Sequence, residues 1–154
     1  MEGGASRPRA VLFVCALNSV RSPMAAALLR QMAGEGIAVA SAGVHKDTLD
    51  PFAAAAMAEA GIDISGHEPQ TIDELEDLDG LDFDLIVTLS PEAHHTALAL
   101  THRIAAAIEY WPTADPTATE GNREQRLDAY RAVRDQLTVR IKARFFAGGA
   151  SPSA

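Results

Sequence analysis

The sequence predicts a three-layer α/β fold, a four-stranded parallel sheet with helices on both faces, and three observations carry that expectation. Short apolar runs with β-branched residues alternate along the chain with longer segments of helical periodicity. The first run, Ala10 to Val14, is apolar at every position rather than at alternate ones, which marks a strand covered on both faces. Helix-start signals, a capping residue followed by proline or by Glu or Gln three positions on, recur between the runs. A length of 154 residues suits one domain, and 47% hydrophobic against 22% charged residues supplies a core for it. Alanine fills 30 positions, which points to closely packed helices.

Residues 1–8 and 147–154 are Gly/Ser/Pro-rich and are expected to be loose tails, leaving a single domain over 9–146. After the first strand, a helix is expected from about Pro23 to about Ala33, with Ser22 as N-cap, proline at the tolerated first position and Gly34 past its end. Ile37 to Ser41 is the second strand. Asp50 and Pro51 repeat the cap-then-proline signature and open an Ala-rich helix, Phe52 to Ala60, closed by Gly61. Thr71 with Glu74 forms a capping box for a short acidic helix, and the acidic run from Asp73 to Asp84 is expected to be a solvated helix and turn. Leu85 to Leu89 is the third strand, Pro91 to about Leu100 a helix, and Ala107 to Tyr110 the fourth strand. Asn122 with Gln125 caps the last helix, whose Leu127, Tyr130, Val133, Leu137, Ile141 and Phe145 keep to one face.

The longest apolar run, Ala10 to Leu17, has eight residues, far below the roughly 20 that span a bilayer. Arg7 and Arg9 before it loosely mimic a signal peptide, but Asn18 and Arg21 cut the run short, so a cytoplasmic protein is expected. Thirteen Lys and Arg against 21 Asp and Glu give a net charge of −8, which argues against a general nucleic-acid or anionic-membrane binder. The lone cysteine, Cys15, excludes an intramolecular disulfide and a Cys-rich zinc site. Five histidines show no two-His-plus-carboxylate spacing, and the adjacent His94 and His95 project about 100° apart on a helix. Neither a metal nor a cofactor is expected.

Cys15 stands at the carboxyl end of the first strand, where parallel α/β sheets bind ligands. The segment from Cys15 runs Cys-Ala-Leu-Asn-Ser-Val-Arg21-Ser22 into a helix N-terminus. A loop entering a helix turns successive backbone N–H groups inward, and with the dipole they form a nest for a dianion. Ala16, Leu17, Asn18, Ser19, Val20 and Arg21 are therefore the candidate phosphate-binding residues, Arg21 adding a bidentate grip through its guanidinium. The same positive field favours a thiolate at Cys15, so nucleophile and oxyanion cradle share one loop. The Ser22 hydroxyl is placed to hydrogen-bond that thiolate, and Asn18, which tolerates left-handed backbone, to hold the loop.

Val14-Cys15-x-x-Asn18-x-x-Arg21-Ser22-Pro23-Met24-Ala25 after a buried strand resembles the phosphate-binding loop of the low-molecular-weight protein tyrosine phosphatase family, which includes thioredoxin-coupled arsenate reductases. Ser41-Ala-Gly43, the segment from Met57 to His67, and Asp84-Leu-Ile-Val-Thr-Leu89 are similar to other blocks of that family, so the resemblance covers roughly 10–146. It implies a four-stranded parallel sheet, a cysteinyl-phosphate intermediate and an aspartate general acid in a late Asp-Pro pair. Attack by a thiolate leaves an oxyanion that needs a proton from another loop. Of the two Asp-Pro pairs, Asp50-Pro51 is explained by capping, whereas Asp115-Pro116 lies just past the fourth strand, on the same edge as Cys15, and no helix is expected there. Asp115 is the candidate acid.

The chain also departs from that family. Ser90 stands where the arsenate-reducing branch resembles Thr-Leu-Cys, and with one cysteine in all, an intramolecular disulfide relay is chemically impossible. Val20 replaces a common second loop cysteine. Leu17 replaces a common glycine and is expected to crowd the loop if that position needs positive φ. Thr117 follows Asp115-Pro116 where phosphotyrosine-specific members often carry tyrosines, and Ser19 on the loop also suits members acting on phosphoarginine. The expectation is a protein phosphatase, for tyrosine or arginine, acting as a monomer or weak dimer on a phosphorylated protein or small phosphomonoester and binding inorganic phosphate. Arsenate reduction with an external thiol, and a non-catalytic phosphate- or phosphoprotein-binding module, are the alternatives.

Overall fold

In the computed structural model, which describes residues 7–146, four parallel strands lie in the order β2-β1-β3-β4. They are β1 (Ala10–Cys15), β2 (Ala38–Gly43), β3 (Leu85–Thr88) and β4 (Ala107–Tyr110). Five helices connect and follow them: α1 (Arg21–Ala33), α2 (Pro51–Glu59), α3 (Ile72–Asp79), α4 (Pro91–Leu100) and α5 (Arg123–Phe145). β1 is central and pairs with β2 and β3, as in Phe13 opposite Ser41 and Val87. The tails expected at 1–8 and 147–154 lie almost wholly outside the described residues.

Alternation along β1 separates two cores. Val11, Phe13 and Cys15 face a cluster built with α1, α2 and α5, among them Met24, Leu29, Met57, Leu137 and Ile141. Leu12 and Val14 face the other side, with Ile72 and Leu75 of α3 and Ala93, Ala97 and Leu100 of α4. Small residues at these crossings let helices sit close to the sheet: Ala25, Ala26, Ala53, Ala56, Ala93 and Ala97 are fully buried. The caps at Asp50, Thr71 and Asn122 are made as the sequence predicts, the last two as complete capping boxes. No helix among the described residues is long and apolar enough to cross a membrane.

Several boundaries shift. β1 runs on to Cys15 and β2 is displaced to Ala38–Gly43, because pairing with β1 extends in register from Ala10 opposite Ala38 to Cys15 opposite Gly43. The larger correction concerns Ser22. Helix α1 starts one residue before it, Val20 occupies the cap position without a side-chain cap bond, and Ser22 lies fully buried in the first turn. Its hydroxyl is directed at the loop rather than at the helix amides. Across this order the chain leaves β1 toward β2 on one side and returns to β3 on the other, so a crevice forms beyond the carboxyl end of β1.

Candidate functional site

The loop 16–20 leaves β1 and winds into α1, and its carbonyls are turned outward by donors from neighbouring segments. Val44 N–H donates to the carbonyl of Cys15 (3.1 Å), His45 to Ala16 (2.9 Å), Asp47 to Leu17 (3.1 Å), and Asp50 to Ser19 (3.1 Å). The carbonyl of Asn18 accepts from His67 Nε2 (3.1 Å), and that of Val20 from Met24 N–H (3.1 Å). With the carbonyls held outside, the amides of Leu17, Asn18, Ser19 and Val20 have no acceptor among the described residues. This is the arrangement of a backbone anion nest at a helix N-terminus.

Asn18 carries the turn. It has φ 54°, the one positive-φ residue other than glycine among those described, and it is fully buried. Its side chain is satisfied on every side: Oδ1 accepts from Gln70 N–H (2.9 Å), and Nδ2 donates to Ser22 Oγ (2.8 Å) and Ser41 Oγ (3.0 Å). The crowding expected at Leu17 does not arise, since the left-handed conformation falls one residue later; Leu17 stays 40% exposed at the loop's mouth. Gly43 at the end of β2 lets the loop come this close, for a Cβ there would overlap the carbonyl oxygen of His45 and lie 2.8 Å from Asn18 N.

Cys15 is 2% exposed, and Ser22 Oγ lies 2.9 Å from its sulfur, with the Ser22 N–H also directed at it (3.4 Å). Because Asn18 already donates to Ser22 Oγ, the hydroxyl's own proton has two acceptors within reach, the Cys15 sulfur at 2.9 Å and the Ala42 carbonyl oxygen at 3.4 Å. Arg21 is 9% exposed and donates from Nη1 to the carbonyl of Thr113 (3.0 Å), which ties the loop to the segment after β4 and leaves the rest of its fork for a ligand.

That same segment carries Asp115. Against expectation, a short 3-10 turn, Pro116–Ala118, does begin there, and Asp115 caps it: Oδ1 accepts from Thr117 N–H (3.0 Å) and from Thr117 Oγ1 (2.7 Å). Capping uses one oxygen and leaves Oδ2 without a partner among the described residues. Cys15, Ala16, Leu17, Ser19, Val20, Arg21, Asp115 and Thr117 together line a pocket of about 50 Å³, more than one water needs and small enough to favour a compact oxyanion. Of the residues singled out by sequence, Asn18 and Ser22 stand behind this pocket as supports and the rest form its wall.

Sequence reasoning missed four supports: Ser41, His67, Gln70 and Thr113. Ser41 and His67 lie in the similar blocks, but only their positions beside Asn18 reveal a part for them. His67 is half-buried, and burial holds its imidazole below the ordinary value of 6.5, against the pull of its bond to Asn18. Ser90, at the position compared with a cysteine, caps α4 by accepting from Ala93 N–H (3.2 Å). No group of three or more His, Cys, Asp or Glu that could hold a metal occurs among the described residues.

Residues 10–146 match the low molecular weight phosphotyrosine protein phosphatase family. An arsenate reductase of Bacillus licheniformis is 34% identical over 134 residues, covering 87% of this chain and 93% of its own. A solved structure of an arsenate reductase in the phosphate binding state is 32% identical with a TM-score of 0.66, over 88% of this chain and 95% of that one. A low molecular weight protein tyrosine phosphatase from T. tengcongensis is 26% identical with a TM-score of 0.71, over 86% and 95%. Since the match takes in all four strands, all five helices and the loop around Cys15, the chain belongs to the low molecular weight phosphotyrosine protein phosphatase family.

Proposed function

We propose that the protein is a phosphomonoesterase, a phosphatase for phosphotyrosine or phosphoarginine in proteins, working through a cysteinyl-phosphate. The observation that carries this reading is the shared pocket, lined by Cys15, by the loop whose amides at 17–20 have no acceptor among the described residues, and by Asp115, whose Oδ2 has no partner among them. In the first step, Cys15 Sγ attacks phosphorus in line as the bond to the leaving atom breaks, and Asp115 gives that atom a proton. The amides of 16–21 and Arg21 hold the equatorial oxygens while charge shifts onto them. In the second step, Asp115, now a carboxylate, takes a proton from water; the water oxygen attacks phosphorus, the S–P bond breaks, and phosphate leaves with the thiolate restored. Ser22 steadies the sulfur as nucleophile and again as leaving group.

Turnover of p-nitrophenyl phosphate tests this. Cys15→Ser is expected to lower kcat by roughly a thousandfold or more, and Asp115→Asn to lower it by roughly 10²–10⁴-fold on phenyl phosphate, whose leaving group depends on the proton. Equal rates for wild type and Cys15→Ser would sink the proposal.

Arsenate reduction is a second reading, favoured by the Bacillus licheniformis relative's name. With one cysteine, any thiol that resolves an arsenate adduct on Cys15 must come from another molecule. Arsenate consumption that requires added glutathione or mycothiol, with no phosphatase turnover, selects that reading. Phosphate binding with neither activity selects a non-catalytic binding module.

A further inference from the structure

A groove of about 490 Å³ opens beside the Cys15 pocket and shares Leu17, Ser19 and Thr117 with it, so a group held in one is continuous with a group held in the other. Arg123 and Arg126 line this groove and not the Cys15 pocket. Both stand in the first turn of the 23-residue α5, where open amides and the helix dipole already concentrate positive charge and where cations weaken a helix. Farther along α5, Arg131, Arg134 and Arg144 all pair with carboxylates. Arg123 and Arg126 make no salt bridge with a described residue; their guanidiniums lie 5.4 and 4.7 Å from the ring centroid of Phe52, which itself packs 5.3 Å from Tyr130. Stacking on a half-buried ring restrains both guanidiniums yet leaves their edges open to an acceptor.

Two carboxylates also line the groove. Asp50 is consumed internally, Oδ1 accepting from Phe52 N–H (2.8 Å) and Oδ2 from the Tyr130 hydroxyl (2.7 Å). Asp47 is exposed, with Oδ1 accepting from Thr48 N–H (2.7 Å), and is the opposing charge. Phosphoryl binding over Cys15 therefore leaves a leaving group lying in a groove lined by two guanidiniums that pair with no carboxylate among the described residues. We infer that the groove is a second anion subsite: the preferred substrate is a phosphomonoester whose leaving group bears a carboxylate or second phosphate, engaged by Arg123 and Arg126. This rests on the reading of the Cys15 pocket as the phosphoryl site. It also answers the net charge of −8, which repels acidic substrates at long range and calls for a local counter-field at the site.

Binding of unreactive analogues tests the subsite without needing turnover. Calorimetry compares phenylphosphonate with 4-carboxyphenylphosphonate and homologues carrying the carboxylate on one to three methylenes. A parallel arm compares phosphonomethyl-phenylalanine peptides flanked by Glu or by Gln. The wild type is expected to bind the best acidic probe roughly three- to tenfold more tightly than its neutral counterpart, the range for two exposed charge contacts, with the preference shrinking as salt rises. In the double variant Arg123→Gln, Arg126→Gln the ratio falls to near one, Arg123→Lys with Arg126→Lys keeps most of it, and Asp47→Asn widens it. A preference confined to the peptides assigns the anion to a protein substrate; one confined to the small probes assigns it to a small acid. A wild-type ratio of one in both arms, or a ratio that survives the double Gln variant, overturns the inference. Acidic preference in binding without p-nitrophenyl phosphate turnover keeps the subsite and rejects the phosphatase reading.

Discussion

His67 shows how a single residue behind the loop links protonation to the site. Its Nε2 donates to the carbonyl of Asn18, so the ring is the Nε2–H form, and burial disfavours its charged state. The unfolded chain therefore takes up a proton near pH 6.5 that the folded chain accepts only at lower pH. Stability from His67 is full above 6.5 and is lost as pH falls through the window below it. Glu59, held at about 2 by hydrogen bonds from Arg131, and Asp63, Glu74 and Glu76, also held low, add losses of the same sign farther into the acid range. Urea unfolding followed from pH 8 to 5 is expected to show stability falling below about 6.5 in the wild type and a flatter profile over that interval in His67→Gln. An unchanged profile in the variant contradicts this assignment.

At the scale of elements, α5 and α2 are tied together around the groove. The Tyr130 hydroxyl donates to Asp50 Oδ2 at 2.7 Å, and Asp50 in turn caps α2, so one bond couples the middle of α5 to the start of α2. Burial and the Asp50 carboxylate push the Tyr130 hydroxyl upward, keeping it a donor throughout the physiological range. Tyr130→Phe is expected to cost about 1 kcal/mol in chemical denaturation, and removing Asp50's partner is expected to loosen the groove more than the Cys15 pocket. Periodicity and caps made most elements legible in the sequence, α5 above all, because its apolar stripe and capping box are local signals. Ser22 and Asp115 show where local signals fall short. Ser22 has the chemistry of an N-cap, but Asn18 and Cys15 claim its hydroxyl from outside the helix. Asp115 lacks any helical periodicity after it, yet three residues suffice for a 3-10 turn that it caps. The supports at Ser41, Gln70 and Thr113 depend on contacts across 23, 52 and 92 positions, which no local pattern announces.

At the scale of the molecule, the strand order decides where chemistry is possible. Reversal of direction across β1 opens a crevice at its carboxyl end, the nest forms where that strand passes into α1, and the loop after β4 brings Asp115 to the same rim. With Cys15 the single cysteine of the sequence, the proposed adduct on it would be resolved by water or by a thiol from another molecule. Rapid mixing with p-nitrophenyl phosphate, followed by acid quench and peptide mass analysis, tests the central proposal most directly. A burst of p-nitrophenolate approaching one equivalent per chain is expected, with phosphate recovered on Cys15 and decaying at the steady-state rate. Turnover with no phosphate on Cys15, or a burst that persists in Cys15→Ser, contradicts it.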